Sequence, residues 1–161
     1  MVEPRPIVTS SRLAAPAAEV WAHAVNPSGI NDELRPLLRM TVPAALRGTT
    51  IEDIPLGRRA GRSWILLLGL VPFDYDDITL VEHDKGRRFL ERSPMLSMRV
   101  WQHERIVDPL DGASCVLTDR VSFRLRTLPA LVPGASRVVG ALVRRIFSHR
   151  HRRLRLRFGE S

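Results

Sequence analysis

The spacing of hydrophobic residues predicts one long helix at the C-terminal end of the chain. From Ala135 onward apolar side chains recur every three or four residues, which is the period of an amphipathic helix. Pro133 and Gly134 precede this stripe, and Gly159 follows it as a residue typical of helix ends. The pattern therefore predicts a helix over about residues 135–158. Its apolar stripe consists of Val138, Val139, Leu142, Val143, Ile146, Phe147, Leu154 and Phe158.

The N-terminal part predicts a strand followed by two short helices. Apolar and polar residues alternate over residues 7–13, which is the period of a strand. Residues 17–25 have helical spacing, and the turn-forming sequence at residues 26–29 is expected to end that helix. A second short helix would begin at Asn31 or Asp32 and contain Leu34, Leu37 and Leu38.

The middle of the chain predicts a series of antiparallel strands. The apolar run 63–71 fits either a strand or a helix, and the neighbouring Gly61 and Gly69 favour a strand. The Asp111-Gly112 turn predicts a hairpin between the last two strands. A chain of 161 residues is about the size of one domain, so we expect a single domain over residues 1–161. The predicted strands of this region are 49–54, 63–71, 73–81, 87–93, 98–107 and 114–126.

This layout and one local sequence resemble a known superfamily. Residues 15–21 read Ala-Pro-Ala-Ala-Glu-Val-Trp, and Asn26-Pro27 follows the first helix. The combination resembles the START-like (SRPBCC) superfamily, including its polyketide cyclase/dehydrase group. The resemblance implies an α+β helix-grip fold, in which a bent antiparallel sheet of about seven strands wraps around the long C-terminal helix. It also implies a cavity for an apolar or amphipathic small molecule, but no reaction, because the superfamily shares no catalytic motif.

Two long predicted strands carry the main polar candidates. Trp101, His103 and Arg105 alternate, so their side chains point to one face. Asp119 is the one charged residue on an otherwise apolar face of the next strand, so we expect it to be buried beside a partner. If paired residue numbers in this hairpin sum to 222, His103 lies opposite Asp119.

Glu91 on the preceding strand completes the polar set. A symmetrical loop before the next strand would place Phe89 opposite Trp101 and Glu91 close by. These polar residues could anchor a ligand, with His103 and Asp119 moving a proton. Alternatively, they form a buried ion-pair network that fixes the strand register. This second interpretation is favoured, because such networks are common.

Aromatic residues are the candidates for the cavity wall. Trp64, Tyr75 and Trp101 stand on predicted strands and could line a pocket, although aromatic residues also fill ordinary cores. With the polar set, the candidate ligand-binding residues are Trp64, Tyr75, Glu91, Trp101, His103, Arg105 and Asp119.

Neither a metal nor a cofactor is predicted. Asp74 and Asp76 share a strand face while Asp77 takes the other, and no clustered His or Cys completes a metal site. Cys115 is the one cysteine, so a multi-cysteine zinc site is excluded. The motifs of α/β-hydrolases, P-loop nucleotidases, Rossmann dehydrogenases and zincins are absent from the sequence.

Charge is concentrated in the predicted C-terminal helix. The chain has a net charge of +8, of which residues 135–161 contribute +7 and residues 1–134 only +1. An anionic surface or RNA could bind this segment, but no aromatic residue interleaves the arginines to stack on bases, and DNA is not predicted. A solvated helix end is favoured. The arginines that could touch an anionic surface are Arg144, Arg145, Arg150, Arg152 and Arg153.

Three functions fit the sequence. The preferred one is non-catalytic binding of a hydrophobic small molecule such as a lipid, an isoprenoid or a polyketide. A cyclase-, aromatase- or dehydratase-like enzyme with a His/carboxylate pair is the first alternative, and an interaction module using the Arg-rich helix is the second. The longest apolar run, residues 64–73, is shorter than a membrane span, and no secretory signal is visible, so we expect a cytoplasmic protein.

Overall fold

Seven antiparallel strands form one curled sheet around a long C-terminal helix. The computed structural model describes residues 5–161, so the first four residues of the predicted domain lie outside it. The strand order is β1-β7-β6-β5-β4-β3-β2. The strands are β1 (Ile7–Leu13), β2 (Leu38–Met40), β3 (Arg59–Leu67), β4 (Val71–Asp84), β5 (Arg88–Ser93), β6 (Met98–Pro109) and β7 (Cys115–Leu125). The helices are α1 (Ala17–Ala24), α2 (Pro27–Leu34), α3 (Thr127–Ala130) and α4 (Ala135–Phe158). The predicted α+β helix-grip architecture is confirmed.

Helix α4 has the predicted boundaries because glycines stand at both ends. Gly134 precedes the helix with φ of 81°, and Gly159 follows with φ of 78°, conformations that favour glycine. Its inward face buries Val143, Phe147 and Leu154 against the sheet. Among the described residues no helix is long and apolar enough to span a bilayer.

The second helix begins earlier than predicted. Asn26 caps α2 by accepting a hydrogen bond from the Ser28 backbone N–H at 2.9 Å, and Pro27 occupies the first helical position. The start at Asn31 or Asp32 was therefore wrong, because the supposed turn sequence is the helix cap. Leu38, predicted on this helix, belongs to β2.

Residues 49–54 do not form the predicted strand. They contain a single turn of 3₁₀ helix at Ile51–Asp53, where the Thr50 backbone N–H donates to the Asp53 carboxylate at 2.8 Å. The strand interpretation of the apolar run 63–71 is correct as far as Leu67, and residues 68–70 turn the chain into β4.

The register of the central strands differs from the predicted one by even numbers of residues. Between β6 and β7, Arg105 rather than His103 pairs with Asp119, because Leu110 and Ser114 close the turn one position later than assumed. Between β5 and β6, Ser93 rather than Phe89 lies opposite Trp101, and Glu91 lies opposite His103. The shift is two residues between β6 and β7 and four between β5 and β6. Both shifts keep every side chain on its face, so the predicted faces are correct although the pairings are wrong.

Candidate functional site

A cavity of about 370 Å³ lies between the curled sheet, α2 and α4. This is within the usual size range of small-molecule sites. Its wall is mainly apolar because the inward positions of the strands and the stripe of α4 converge on it. The apolar lining includes Ile30, Leu34, Leu38, Ile65, Met95, Met98, Trp101, Val139, Val143, Ile146 and Phe147.

Most polar groups in the wall are already bonded within the protein. The Asn31 side chain accepts from the Met40 backbone N–H at 2.7 Å and donates to its carbonyl at 2.9 Å. Ser63 donates to the Thr41 carbonyl at 2.6 Å. The Asp74 carboxylate accepts from the Leu96 backbone N–H at 2.9 Å and from the Ser97 hydroxyl. The remaining polar lining residues are Thr41, Asp76, Glu91, His103 and Arg150.

The structure brings five of the seven predicted site residues together. Glu91, Trp101 and His103 line the cavity, whereas Arg105 and Asp119 are fully buried beside it, behind His103.

Trp64 and Tyr75 lie elsewhere, on the outer face of the sheet. Their rings pack edge to face with centroids 5.5 Å apart, and Trp64 is 42% exposed. Their neighbours Ser63, Ile65 and Asp76 line the cavity instead. Since strand side chains alternate, these two aromatic residues necessarily face away from it.

Arg105 is the centre of a buried ion-pair network. It donates to both oxygens of Asp119 at 2.7 Å and to both oxygens of Glu33 at 2.8 Å. Arg150 adds a second cation, donating to Glu33 at 2.9 Å. Arg105 thus binds each carboxylate in bidentate geometry, and Arg150 adds a second positive charge at Glu33, so the buried charges compensate each other.

This compensation determines the protonation of both carboxylates. Burial by itself would raise the pKa of Asp119 and of Glu33, but the charge and hydrogen bonds of Arg105 outweigh it. The pKa of Glu33 is lowered, and the pKa of Asp119 lies well below its usual range. Both groups are therefore acceptors only.

Two histidines complete the network around Asp119. His103 Nε2 lies 2.8 Å from Asp119 Oδ1, and His151 Nε2 lies 3.0 Å from Asp119 Oδ2. Because the carboxylate can only accept, His103 donates through Nε2, and in the neutral ring Nδ1 is then an acceptor. No hydrogen bond from residues 5–161 reaches this Nδ1, on a side chain that lines the cavity.

A second pair of carboxyl groups, Asp76 and Glu91, lines the same cavity without a cation. Ser93 donates its hydroxyl to Glu91 Oε1 at 2.6 Å and accepts from the Thr79 backbone N–H at 3.0 Å. Burial raises the pKa of Asp76 well above its usual range, and the neighbouring Glu91 raises it further. Within the described chain, Asp76 Oδ1 has no hydrogen-bond partner.

Sequence reasoning missed Asp76, Glu33, Arg150 and His151. Asp76 was considered only as a metal ligand. Its alternation with Asp77 could have indicated that it faces the cavity, because Asp77 pairs with Arg62 on the outer face of the sheet. Arg150 was predicted as one of five arginines that could touch an anionic surface. For Arg150 this is wrong, because it is 7% exposed and bonded to Glu33.

The sequence matches one family model. The model of the family described as a domain of unknown function (DUF8410) covers residues 11–158, so the chain belongs to this family. Among curated proteins no match is found.

Solved structures from several bacteria share the fold at low identity. A START superfamily protein from Mycobacterium smegmatis has a TM-score of 0.58 and 10% identity, covering 96% of this chain and 97% of that one. The ZhuI aromatase/cyclase from a Streptomyces species has a TM-score of 0.65 and 18% identity, with 93% and 90% coverage. A protein from Chromobacterium violaceum has a TM-score of 0.66 and 14% identity, with 98% and 100% coverage. The predicted START-like fold is thereby confirmed.

Proposed function

We propose that this DUF8410 protein binds a hydrophobic or amphipathic small molecule, of lipid, isoprenoid or polyketide type, between its sheet and α4. The observation that carries the proposal is the cavity of about 370 Å³ with its mainly apolar wall. The START superfamily protein and the aromatase/cyclase support it at the level of the shared fold, not of the ligand.

The physical argument concerns what an apolar wall gains from an occupant. Protein interiors are close-packed, and wall atoms facing a void lose their dispersion contacts. A ligand that fills the space restores those contacts. The transfer of the ligand out of water also stabilises the complex, by roughly 25 cal/mol per Å² of apolar area removed from water. An apolar molecule therefore fits this wall better than a polar one.

Filling the cavity with a side chain tests the proposal. Val143 is 4% exposed and lines the cavity, whereas Val138 on the same helix is 69% exposed. We expect Val143→Trp to remove apolar mass that co-purifies with the wild-type protein in native mass spectrometry. Val138→Trp is the matched control and should retain that mass.

Two results would contradict the binding proposal. One is equal retention of bound mass by both variants. The other is a wild-type protein that carries no apolar mass and binds no member of a lipid and polyketide panel. Circular dichroism of each variant confirms that any loss of binding is not a loss of fold.

A proton-transferring enzyme is the second candidate, and one observation favours it. His103 Nδ1 and the Glu91 carboxyl line the same cavity from paired positions on adjacent strands. His103 could remove the α-proton of a β-hydroxy ketone while the carboxyl pair of Asp76 and Glu91, in which the pKa of Asp76 is raised, gives a proton to the departing hydroxyl, so that an enone and water form. The same mass measurement separates the two functions, since only an enzyme changes the mass of an added hydroxy ketone by one water.

A further inference from the structure

An open groove of about 800 Å³ adjoins the apolar cavity beside α2. It lies between the first turn of α2 and residues 42–50. The groove and the cavity share four lining residues, Pro27, Asn31, Val42 and Leu46. The two spaces are therefore neighbours, and one elongated molecule can occupy both.

The groove differs from the cavity in the charge of its wall. Arg35, Arg39 and Arg47 line it, and all three side chains are exposed. Their guanidinium groups make no ion pair and no hydrogen bond with any group of residues 5–161. The sequence gives the reason, because no Asp or Glu occurs between Glu33 and Glu52.

Among the described residues, Asp32 is the one acidic side chain in the groove, and it is already compensated. Arg153 donates to Asp32 Oδ1 at 3.0 Å, and Arg157 Nη1 lies 3.7 Å from Asp32 Oδ2. The three unpaired guanidinium groups are thus the excess charge of the groove. A concave surface lined by charges of one sign attracts the opposite ion, and guanidinium groups bind carboxylate and phosphate oxygens in planar, two-bond geometry.

We propose that this groove binds the anionic head group, a carboxylate or a phosphate, of the molecule whose apolar part fills the cavity, so that the ligand is an amphipathic acid. This inference rests on the proposed function, because it names the ligand class of the same cavity. An uncharged ligand leaves the three arginines unpaired, and a cationic ligand is repelled by them.

Probes with one octyl chain and different head groups test the inference. Octan-1-ol, octanoate, octyl phosphate and octylammonium are each titrated calorimetrically at neutral pH. We expect the better of the two anions to bind about fivefold more tightly than octanol, since exposed ion pairs are individually weak but three act together. Octylammonium should bind most weakly. The comparison of octanoate with octyl phosphate tells which head group the groove takes.

A triple variant assigns the preference to the groove. Arg35→Gln, Arg39→Gln and Arg47→Gln are combined, which removes the three unpaired charges. The preference for the anion should disappear, while octanol should bind as it does to the wild-type protein. Retained octanol binding also shows that the variant is folded.

A second triple variant is the matched control. Arg144→Gln, Arg145→Gln and Arg152→Gln remove the same net charge from exposed positions on α4, outside the groove. The preference for the anion should remain. The control therefore separates a local site from the general attraction between an anion and a protein of net charge +8.

Two further measurements test whether head group and chain belong to one bound molecule. Val143→Trp, which fills the cavity, should weaken the binding of octanoate and of octanol alike. Inorganic phosphate, which has no chain, should bind more weakly than octyl phosphate.

The possible failures are distinguishable. Anions that bind no more tightly than octanol, or a preference that survives in the groove variant or is lost equally in the α4 control, would overturn the inference and leave the apolar cavity standing. Octanoate binding that Val143→Trp leaves unchanged, or inorganic phosphate binding as tightly as octyl phosphate, would show an anion site independent of the cavity and would also overturn it. If the wild-type protein binds none of the octyl probes, the proposed function and the inference both fail for chains of this length.

Discussion

Among residues 5–161, two pairs of carboxyl groups lie in or beside the cavity, and cations compensate only one of these pairs. Glu33 and Asp119 face Arg105 and Arg150 at 2.7 to 2.9 Å. Asp76 and Glu91 have each other and the Ser93 hydroxyl, but no cation. The first arrangement pairs both carboxylates with cations, whereas in the second burial raises the pKa of Asp76 and so favours its uncharged form. Groups that lower stability without compensation are concentrated at functional sites, whereas compensated networks hold a fold together.

The compensated pair connects four elements of the fold. Glu33 lies on α2, Arg105 on β6, Asp119 on β7 and Arg150 on α4. The bidentate bonds of Arg105 fix α2 against the sheet, and the contact of Arg150 with Glu33 fixes α4 against α2. His103 lines the cavity and is bonded to Asp119, so the network also fixes the position of the His103 ring in the cavity wall.

Removing the central cation is expected to have the largest effect. Arg105→Met leaves two fully buried carboxylates without their shared partner, which typically lowers the free energy of unfolding by about 3–5 kcal/mol. Urea denaturation measures it. The matched control is Arg87→Met, because Arg87 pairs with Asp108 at 2.9 Å where both side chains are exposed. A loss no larger for Arg105→Met than for this control would show that the network is not structural.

The polar groups on strands were easier to predict than those on helices. Asp119 was expected to be buried beside a partner because it interrupts an apolar face, and the expected contact with His103 exists despite a register error of two residues. Strand alternation fixes the face whatever the pairing. Glu33 and Arg150 lie on helices, where the inward face depends on how α2 and α4 pack on the sheet.

The outer and inner faces of β3 and β4 show the limit of alternation. Strand alternation and the pairing of β3 with β4 place Trp64 and Tyr75 on one face of the sheet and Asp76 on the other. Alternation does not say which group faces the cavity, because that depends on the direction in which the sheet curls. Asp74, Asp76 and Asp77 were weighed only as a metal site, which was rejected, and Asp76 was therefore not predicted to line the cavity.

The uncompensated pair should make the protein less stable as the pH rises. The folded-state pKa of Asp76 is raised by burial and by Glu91, so the folded state holds more protons than the unfolded state above about pH 4. The contribution of Asp76 to stability is thus lost as the pH increases through its folded pKa. Asp76→Asn removes this loss, and we expect its free energy of unfolding at neutral pH to exceed the wild-type value by about 1 kcal/mol.

The neighbouring residue provides a control of opposite sign. Hydrogen bonds from Arg62 outweigh burial and lower the pKa of Asp77, so its contribution is present above its unfolded pKa and lost as the pH falls. Asp77→Asn should therefore destabilise the protein at neutral pH. Thermal unfolding of both variants between about pH 2 and pH 8 measures the two slopes, since the Asp77 effect lies below about pH 4 and the Asp76 effect above it. A parallel response would contradict the assignment of Asp76.

The smallest effect is expected where charge is neither buried nor paired. Arg144, Arg145 and Arg152 are exposed on α4 and have no ion-pair partner in residues 5–161. Replacing all three with Gln should change the free energy of unfolding by no more than roughly 0.5 kcal/mol per site. Arg150→Gln on the same helix should instead be strongly destabilising, because it leaves Glu33 short of a cation.

The same triple variant decides whether the Arg-rich end of α4 is an interaction surface. A solvated helix end predicts that wild-type protein and triple variant sediment equally little with vesicles of phosphatidylglycerol at physiological salt. An electrostatic docking surface predicts wild-type binding that weakens with salt and with each arginine removed. Since four of the eight α4 arginines, Arg150, Arg153, Arg155 and Arg157, already have acidic partners within 4 Å, the free charge is about half of what the sequence suggests. We therefore expect the first result, and salt-sensitive sedimentation of the wild-type protein alone would contradict it.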